Sequence, residues 1–249
     1  MKVSIITISY NAADTLEETI LSVINQTHAN LEYIVVDGAS TDGSMKIIDK
    51  YRDKISRVIC EPDDGMYFAM NKGINVATGD VIGILNADDT YASTRIIEKV
   101  VAKLEQSNAD SLYGDLHYVD RNHVENVVRR WKAGAFVRSF FLKGWMVPHP
   151  TFFVKKKVYD KYGLFNTDLT SSADYEFMVR VLYKGNISAT YLNEVMVHMK
   201  RGGQSNLSLQ NRIKANKEDR LAWVLNGVKP ETFTFIKKPF RKISQFVQL

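Results

Sequence analysis

Two adjacent acidic residues, Asp88 and Asp89, follow an apolar run from Val81 to Leu85. An apolar run of this length indicates a buried strand, so the pair should lie at the C-terminal end of that strand. Ligands of open α/β sheets bind at this edge, where carboxylates can hold a divalent cation against a diphosphate. The alternative is that the two aspartates cap the following helix, since an isolated Asp-Asp pair is weak evidence for a metal site.

Asp37 occupies a similar position, because it ends a second predicted strand and precedes the polar turn Gly38 to Gly43. A carboxylate at this edge can accept hydrogen bonds, and a nucleotide base or ribose supplies donors. Thr41 and Asp42 suit a turn and a helix cap. The cap does not need Asp37, so we assign a ligand-binding role to Asp37 and a structural role to Asp42.

The segment from Pro62 to Gly73 contains three further candidates. Gly65 permits close approach of the backbone to a ligand. Asn71 and Lys72 are polar residues on an otherwise apolar helix face, and a lysine can meet a phosphate as a point charge. A solvated helix end explains Lys72 equally well.

Asp174 and Glu176 stand at the predicted start of a helix. Transfer of a group to a hydroxyl needs a base that takes the proton, and a carboxylate at a helix N-terminus is held in place for that task. Residues two apart face different directions on a helix, so only one of the two can be the base. Helix capping by Asp174 is the alternative.

His198 ends a predicted strand just before Lys200, Arg201 and a Gly-Gly pair. Histidine can complete a metal shell with a carboxylate, although an isolated histidine is more often structural. Lys200 and Arg201, beside a glycine hinge, could fold over a diphosphate as a mobile loop. Trp145 and His149 would line the acceptor side of a cleft, but a packed corner explains this second pair equally well.

Strand and helix patterns alternate in the first half of the chain and predict an α/β fold with a mostly parallel, Rossmann-like sheet flanked by helices. Predicted strands are 3–8, 31–36, 56–60, 81–85 and 111–115. A first helix is predicted from a cap at Asp14 or Thr15 to about Asn25, and a second from a cap within 40–42 to about Tyr51. Further helices are predicted over 66–77 and 94–106. After Asp115 the pattern indicates a hairpin over 118–128, strands over 151–154 and 187–197, and a helix over 174–184. We therefore divide the chain into a nucleotide-binding half (1–115), a smaller acceptor-binding and catalytic half (116–210) and a basic, aromatic, helical C-terminal tail (211–249).

The composition narrows the possibilities further. The 249 residues are 45% hydrophobic and include one cysteine, Cys60. This excludes a disulfide framework and favours a reducing, cytoplasmic setting. The N-terminus has no signal-peptide pattern, and no apolar run is long enough to span a bilayer.

The formal charge of +5 is concentrated in the C-terminal tail. The segment from Lys229 to Leu249 contributes +4, with phenylalanines between its basic residues. This composition suits peripheral contact with an anionic membrane surface, or a terminal helix that packs its aromatic rings on the core. Because the excess charge belongs to the tail, we expect no nucleic-acid partner.

These motifs, in this order, resemble those of the inverting family 2 glycosyltransferases with the GT-A fold. The run Ser4 to Asn11 is similar to the opening strand and nucleotide loop of the family, and Val35 to Ser44 is similar to its uracil-contacting segment. Asn86 to Asp89 occupies the Asp-X-Asp site, and Ala173 to Tyr175 matches the segment that holds the base. His198 falls where many members have a metal-binding histidine.

The resemblance implies transfer of a sugar from a nucleotide-diphosphate sugar, in particular a UDP-sugar, to a hydroxyl of a glycan or lipid-linked acceptor. It implies a role in bacterial surface-polysaccharide assembly at the cytoplasmic membrane face, with Mn²⁺ or Mg²⁺ as cofactor. Asp174 becomes the base, and Asp88 and His198 become the metal ligands. The implied donor-binding residues are Thr7, Ser9, Tyr10, Asn11, Asp37, Gly65, Asn71, Lys72, Asn86, Ala87, Asp88, Lys200 and Arg201.

The sequence departs from the family pattern at two positions. Asn86 replaces the first acid of the Asp-X-Asp motif, so Asp88 should carry most of the metal coordination. Ala173 replaces the acid before the base, but Asp174 remains.

Two other functions compete with this interpretation. A nucleotidyltransferase would need a glycine-rich, basic triphosphate loop after the first strand, where Ser9 to Ala12 stands instead. A non-catalytic binding module would not need an intact Asp174.

Overall fold

The computed structural model describes residues 1–202 and 209–229, and these residues form one mixed sheet flanked by helices. Its strands are β1 (Val3–Ser9), β2 (Leu31–Asp37), β3 (Arg57–Cys60), β4 (Val81–Asn86), β5 (Asp89–Tyr91), β6 (Ser111–Val119), β7 (Val127–Trp131), β8 (Phe153–Lys155) and β9 (Ala189–Lys200). The helices are α1 (Ala13–Ile24), α2 (Ser44–Lys50), α3 (Met66–Val76), α4 (Ile96–Ser107), α5 (Lys156–Tyr162), α6 (Ala173–Met178) and α7 (Leu209–Leu225).

Four parallel strands form the first part of the sheet, in the order β3-β2-β1-β4. The register pairs Ser9 with Asp37 and Ile8 with Asn86. The carboxyl ends of β1, β2 and β4 therefore meet at one edge, as the alternating sequence pattern predicts. We call this the donor edge; it comprises residues 9–13, 37–44 and 86–89.

The rest of the sheet mixes strand directions. Strand β8 runs antiparallel to both β4 and β6, β5 runs antiparallel to β9, and β6 runs parallel to β9. Parallel neighbours need long crossover connections, whereas β6 and β7 form an antiparallel hairpin, as predicted, with a loop over 120–126. The α/β class is confirmed, while the continuous parallel arrangement is confined to the first four strands of the sheet.

Several element boundaries differ from the sequence prediction because distant groups determine them. Helix α1 begins at Ala13, before the predicted cap at Asp14 or Thr15, and Asp42 accepts a hydrogen bond from the Ala13 N–H at 2.9 Å. Strand β9 continues to Lys200, so His198 lies inside a strand. Helix α6 continues as a π-helix over Val179–Lys184. The sequence patterns did not indicate β5 or α5.

The two faces of the sheet pack against separate groups of apolar residues. On β2, Val35 packs with residues of α1 and α4, whereas Ile34 and Val36 pack on the opposite face with residues of α3 and α6. This alternation is the two-residue period of a strand. The second group includes Trp223 of α7, which is fully buried.

Helix α7, which belongs to the predicted C-terminal tail, packs on the rest of the fold. Its residues pack against α6, with Trp223 donating a hydrogen bond to the Tyr175 hydroxyl at 3.0 Å. The predicted divisions at 115/116 and 210/211 remain predictions, and the basic segment after residue 229 lies outside the described residues. In the described part of the chain, every helix is too short or too polar to span a membrane.

Candidate active site

Asp37 organises the loop that follows β2. Its carboxylate accepts hydrogen bonds from both the backbone N–H and the hydroxyl of Ser40, each at 2.7 Å. The Asp37 side chain is fully buried, because these two contacts draw the loop over it. The predicted contact of Asp37 with a base or ribose remains a prediction, and its observed role is to shape the donor edge.

Asn11 joins the loop after β1 to the loop after β2. Its side-chain oxygen accepts from the Thr41 N–H at 2.9 Å, and its own N–H donates to the Ser40 hydroxyl at 2.8 Å. The φ angle of Asn11 is +48°, a left-handed conformation that asparagine adopts more readily than most residues. The two loops therefore form one hydrogen-bonded unit at the donor edge.

Tyr10 is the exposed aromatic residue of the donor edge, with 61% of its surface accessible. Its ring lies against Gly38, where an added Cβ would come within 3.1 Å of Tyr10 Cδ2. Glycine at position 38 thus allows this close approach of the ring to the loop. An exposed ring in this position can stack on a nucleotide base, because every base presents a π-face.

Two predicted donor-binding residues on β1 face inward. Thr7 is fully buried, and its hydroxyl accepts a hydrogen bond from the Tyr33 hydroxyl at 3.1 Å. Ser9, at the end of β1, is 5% exposed. The structure does not present Thr7 to a ligand, since strand alternation turns its side chain into the core.

The predicted candidates on α3 make structural contacts. The Asn71 amide donates to the Phe165 carbonyl at 2.9 Å and accepts from the Phe165 N–H at 3.0 Å. Lys72 pairs with Asp63 at 2.6 Å and with Glu61 at 2.7 Å, and these contacts raise the Lys72 pKa. The two carboxylates already neutralise the predicted phosphate-binding charge of Lys72. Gly65 adopts a φ of +138° immediately before α3, a conformation that favours glycine.

Asp88 and Asp89 follow β4 at the donor edge, as predicted. Burial raises the pKa of Asp88, and a backbone hydrogen bond and the charges of Arg121 and Lys200 oppose that rise. Asp89 is fully buried in β5, where burial and repulsion from Asp88 hold its pKa well above the usual range. The pair is therefore a site of unfavourable negative charge that a cation would stabilise.

The chemistry of the groups beside Asp88 suits a hard divalent cation, which prefers oxygen ligands. Ala87 is buried between Asn86 and Asp88, and the Asn86 side-chain oxygen is buried without a hydrogen-bond partner in the described part of the chain. Within residues 1–202 and 209–229, no three His, Cys, Asp or Glu side chains are grouped so as to hold a metal. The oxygen donors at Asn86 and Asp88 fit a metal that also takes ligands from a bound diphosphate.

His198 packs against a second histidine. Its ring stacks on His117 of the neighbouring strand, with centroids 6.1 Å apart and planes 4° apart, and burial lowers its pKa. The pairing of Thr90 with His198 brings β9 alongside the segment that follows Asp88, and the role of His198 as a metal ligand remains a prediction. His198 lies inside β9 rather than at the end of the strand.

Lys200 and Arg201 differ in their surroundings. Lys200 lies in β9 with 4% of its surface exposed and forms an ion pair with Glu18 of α1. The prediction that Lys200 belongs to a mobile loop is therefore wrong, because β9 continues past His198 to Lys200. Arg201 is exposed, and its N–H donates to the Val119 carbonyl at 3.0 Å. Residues 203–208 of the predicted loop lie outside the described residues.

Asp174 lies in the first turn of α6, where three elements of the fold converge. One carboxylate oxygen accepts a hydrogen bond from the Tyr67 hydroxyl at 3.0 Å, and the other lies 3.5 Å from His149 Nδ1. Burial and the Asp174 charge raise the pKa of Tyr67 well above its usual range, so Tyr67 remains a donor at neutral pH. The Asp174 side chain is 19% exposed and is reachable by a ligand.

The predicted acceptor-side residues separate in the structure. Trp145 is 6% exposed, donates from Nε1 to the Ala133 carbonyl at 3.0 Å and packs edge-on against Tyr113 and Phe141. These contacts favour the packed-corner alternative for Trp145. His149 instead reaches Asp174, which places it at the candidate base.

Sequence reasoning missed two residues of this region. Tyr67 lies in the apolar run from Met66 to Met70, and nothing in that run distinguishes it as a partner of the base from the residues that only pack in the core. Glu218 of α7 binds the loop before α6, and its partners lie more than 40 residues away in the chain. No local signal marks such a contact.

Comparison with known proteins identifies the family. Residues 4–163 match the family model described as Glycosyl transferase family 2. The chain belongs to this family. The glycosyltransferase assignment therefore rests on almost two thirds of the sequence, including the entire donor edge, whereas the matched residues end before Asp174.

Curated relatives are also named as glycosyltransferases. The "PGL/p-HBAD biosynthesis glycosyltransferase" of Mycobacterium bovis is 29% identical over 208 residues, which cover 82% of this chain and 78% of that protein. An uncharacterized glycosyltransferase of Methanocaldococcus jannaschii is 29% identical over 202 residues, which cover 76% of this chain and 69% of that protein. TuaG of Bacillus subtilis, named as a candidate teichuronic acid biosynthesis glycosyltransferase, is 36% identical over 115 residues, covering 45% and 46%.

Solved glycosyltransferase structures share the fold. The S. aureus TarS fragment 1–349 superposes with a TM-score of 0.72 at 18% identity, covering 98% of this chain and 72% of that one. The mannosyltransferase PcManGT of Pyrobaculum calidifontis, solved with GDP-Man and Mn²⁺, gives a TM-score of 0.68 at 19% identity, covering 96% and 69%. The enzyme therefore has a GT-A type fold.

Proposed function

We propose that this glycosyltransferase moves a sugar from a UDP-sugar to a hydroxyl of a glycan or lipid-linked acceptor, with inversion at the anomeric carbon. The observation that carries the proposal is the position of Asp174. Its carboxylate is reachable by a ligand, stands at a helix N-terminus and is oriented by Tyr67 and His149. A carboxylate held in this way can act as general base for an acceptor hydroxyl.

The proposed reaction is a single displacement. Asp174 takes the proton of the acceptor hydroxyl, while the hydroxyl oxygen forms a bond to the anomeric carbon. The bond between that carbon and the diphosphate oxygen breaks, and its electron pair leaves with the diphosphate. The attack comes from the face opposite the leaving group, so the configuration inverts. Tyr67 and His149 hold the carboxylate in one orientation, which saves part of the entropic cost of alignment.

Mn²⁺ or Mg²⁺ is the proposed cofactor, with Asp88 as its principal protein ligand and the Asn86 oxygen beside it. A bound cation would offset the negative charge that develops on the departing diphosphate. The raised pKa of Asp88 and the unpartnered Asn86 oxygen support this assignment. The stacking of His198 on His117 gives no support to His198 as a further ligand.

The choice of UDP and of a polysaccharide pathway rests on the relatives and on Tyr10. TarS has been solved with UDP and with UDP-GlcNAc, and TuaG is named for teichuronic acid biosynthesis. The exposed Tyr10 ring beside Gly38 is available to stack on the uracil base. On this basis we assign the enzyme to hexosyl or N-acetylhexosaminyl transfer in cell-surface polysaccharide assembly.

A lipid-linked acceptor would place the enzyme at the inner face of the cell membrane. The exposed side of α7 includes Lys214, Lys217 and Leu221, and Lys229 follows it. Basic and apolar residues together suit an anionic membrane surface. Vesicles containing phosphatidylglycerol should sediment the protein while phosphatidylcholine vesicles leave it in solution; equal recovery with both would exclude electrostatic membrane contact.

The experiment that tests the proposed function is a donor screen. The protein is incubated with UDP- and GDP-sugars and Mn²⁺, with water as acceptor, and nucleotide release is measured. We expect UDP from one UDP-sugar, and NMR of the freshly released sugar should show the inverted anomer. Retained configuration would exclude the single displacement. Pyrophosphate release from a nucleoside triphosphate and sugar phosphate would indicate a nucleotidyltransferase, and no nucleotide from any donor would indicate a binding module.

A further inference from the structure

Three consecutive backbone N–H groups converge on one carboxylate in the loop before α6. The N–H and the hydroxyl of Thr170 donate to Glu218 Oε1 at 3.2 and 3.0 Å. The N–H groups of Ser171 and Ser172 donate to Glu218 Oε2 at 2.7 and 3.0 Å. Successive N–H groups that point to one side form an anion-binding concavity, and here the anion is a side chain of the protein itself.

Because Glu218 is buried, its carboxylate depends on these hydrogen bonds. The residue is 8% exposed, and its four donors belong to one loop and carry no formal charge. A buried carboxylate is strongly disfavoured unless hydrogen bonds satisfy it. The loop backbone and the Glu218 side chain therefore determine each other's position.

The loop leads directly into the candidate base. Ser172 is the N-cap residue of α6, and its carbonyl accepts from the Glu176 N–H at 2.9 Å. Asp174 follows two residues later, so the direction of the loop sets where its carboxylate points. We propose that Glu218 is a positioning residue for Asp174, and that α7 is thereby part of the catalytic apparatus. This inference rests on the proposed role of Asp174 as base.

Other contacts hold α7 in place without touching the loop. Trp223 donates from Nε1 to the Tyr175 hydroxyl at 3.0 Å, and Asn226 donates to Glu176 Oε1 at 2.9 Å. These contacts provide a matched comparison. Loss of a contact between α7 and α6 should affect stability, whereas loss of the Glu218 contact should also affect the geometry of the base.

The test compares Glu218→Gln with Trp223→Phe. Glutamine keeps the length of the side chain but turns an NH₂ group toward donors, so the loop loses part of its attachment. We expect kcat for UDP release to fall about tenfold or more in Glu218→Gln, with KM for the UDP-sugar within about twofold of wild type, since small misplacements of a reacting group are costly. Trp223→Phe should lower Tm and leave kcat within about twofold of wild type. Equal kcat losses in both variants would overturn the proposal.

A structural measurement separates this inference from the proposed function. In a crystal structure of Glu218→Gln, the hydrogen bond between Tyr67 and Asp174 should be lengthened or lost. If it is kept as in wild type, Glu218 does not position the base, whatever the activity. If wild type releases no nucleotide, the proposed function fails, and the crystal structure still decides the positioning role. If Glu218→Gln does not fold, Thr170→Val removes one donor of the same carboxylate. In that variant kcat should fall and the hydrogen bond between Tyr67 and Asp174 should lengthen, each by less than expected for Glu218→Gln.

Discussion

The donor edge and the region of the candidate base are held together by different kinds of contact. At the donor edge, the loops after β1 and β2 bind each other through pairs such as Asn11 and Thr41, which are 30 residues apart. The base region brings Asp174 into contact with Tyr67, 107 residues away, and its preceding loop into contact with Glu218 of α7. The first region depends on adjacent strand–loop–helix units, and the second depends on the completed fold.

This difference leads to an expectation about function. Contacts within the donor edge shape the nucleotide site, so changes there should mainly alter donor affinity. Contacts around Asp174 act on the reacting groups, so changes there should mainly alter kcat. A variant that loses transition-state interactions lowers kcat, whereas a variant that loses uniform binding raises KM. Variants in the two regions therefore test whether donor binding and the chemical step depend on separate contacts.

The largest effect is expected from Asp174→Asn. The amide cannot take the acceptor proton, so kcat should fall by about 10²- to 10⁴-fold. UDP binding, measured by calorimetry in the presence of Mn²⁺, should remain near that of wild type, since Asp174 lies outside the donor edge. Asp168→Asn is the matched control, because it makes the same chemical change at an exposed position in the same segment. Full turnover by Asp174→Asn would disprove the base assignment.

The contrast between the two regions also explains what the sequence could predict. Asp37 ends one apolar strand and Asp88 follows another, and the parallel register places those strand ends at the same edge, on either side of β1. The fold class and the position of the donor edge could therefore be predicted from local patterns. The position of Asp174 at the start of a helix was also predictable, whereas its partners Tyr67 and Glu218 were not, because their contacts depend on chain packing.

Residue type did not indicate which polar groups already have partners. Lys72 and Lys200 were predicted to bind phosphate because both are basic and lie near candidate motifs. The structure pairs Lys72 with Asp63 and Lys200 with Glu18, so each charge is balanced within the protein. The sequence left Trp145 open between an acceptor-side role and a packed corner, and its burial favours the packed corner. Such pairings depend on elements that approach each other only in the folded chain.

The second-largest effect is expected from Tyr67→Phe. This change removes the hydroxyl that donates to Asp174, and hydrogen bonds to charged groups contribute about 1.5–3 kcal/mol. The kcat should therefore fall by about 10- to 100-fold, with donor affinity unchanged. Tyr91→Phe is the matched control, since Tyr91 is buried and its hydroxyl has no partner in the described part of the chain. The positioning role of Tyr67 would be refuted by equal kcat values in the two variants.

A smaller effect, of a different kind, is expected from Ser40→Ala at the donor edge. The hydroxyl of Ser40 donates to Asp37 and accepts from the Asn11 N–H, so its loss removes one of the hydrogen bonds that join the two loops. An unsatisfied buried group costs about 1–3 kcal/mol, and we expect Kd for UDP to rise about tenfold with kcat within about twofold. Ser107→Ala, at the exposed end of α4, serves as control. A fall in kcat at unchanged Kd would break the proposed separation of the two regions.

The smallest effect is expected in the pH dependence of stability. The Asp89 pKa is raised by burial and by repulsion from Asp88, so the folded state binds this proton more tightly than the unfolded state, whose pKa is about 3.9. The contribution of Asp89 to the free energy of unfolding is therefore fully present below about pH 3.9 and is lost as pH rises toward the raised pKa. The amide introduced by Asp89→Asn stays neutral at every pH. In EDTA, this variant should thus gain Tm relative to wild type between pH 4 and pH 7, by about 2–4 °C for each kcal/mol.

Two measurements link this effect to the donor edge. Asp53→Asn, the same change at an exposed side chain, gives the baseline for the Tm difference at each pH. Adding Mn²⁺ and UDP at pH 7 should raise the Tm of wild type more than that of Asp89→Asn, because a cation beside Asp88 offsets the charge that disfavours ionised Asp89. If the Tm difference between Asp89→Asn and wild type narrows toward pH 7 in EDTA, ionisation of Asp89 does not destabilise the folded state. An equal gain from Mn²⁺ and UDP in both proteins would place the cation away from this pair and leave the donor edge without its proposed metal ligand.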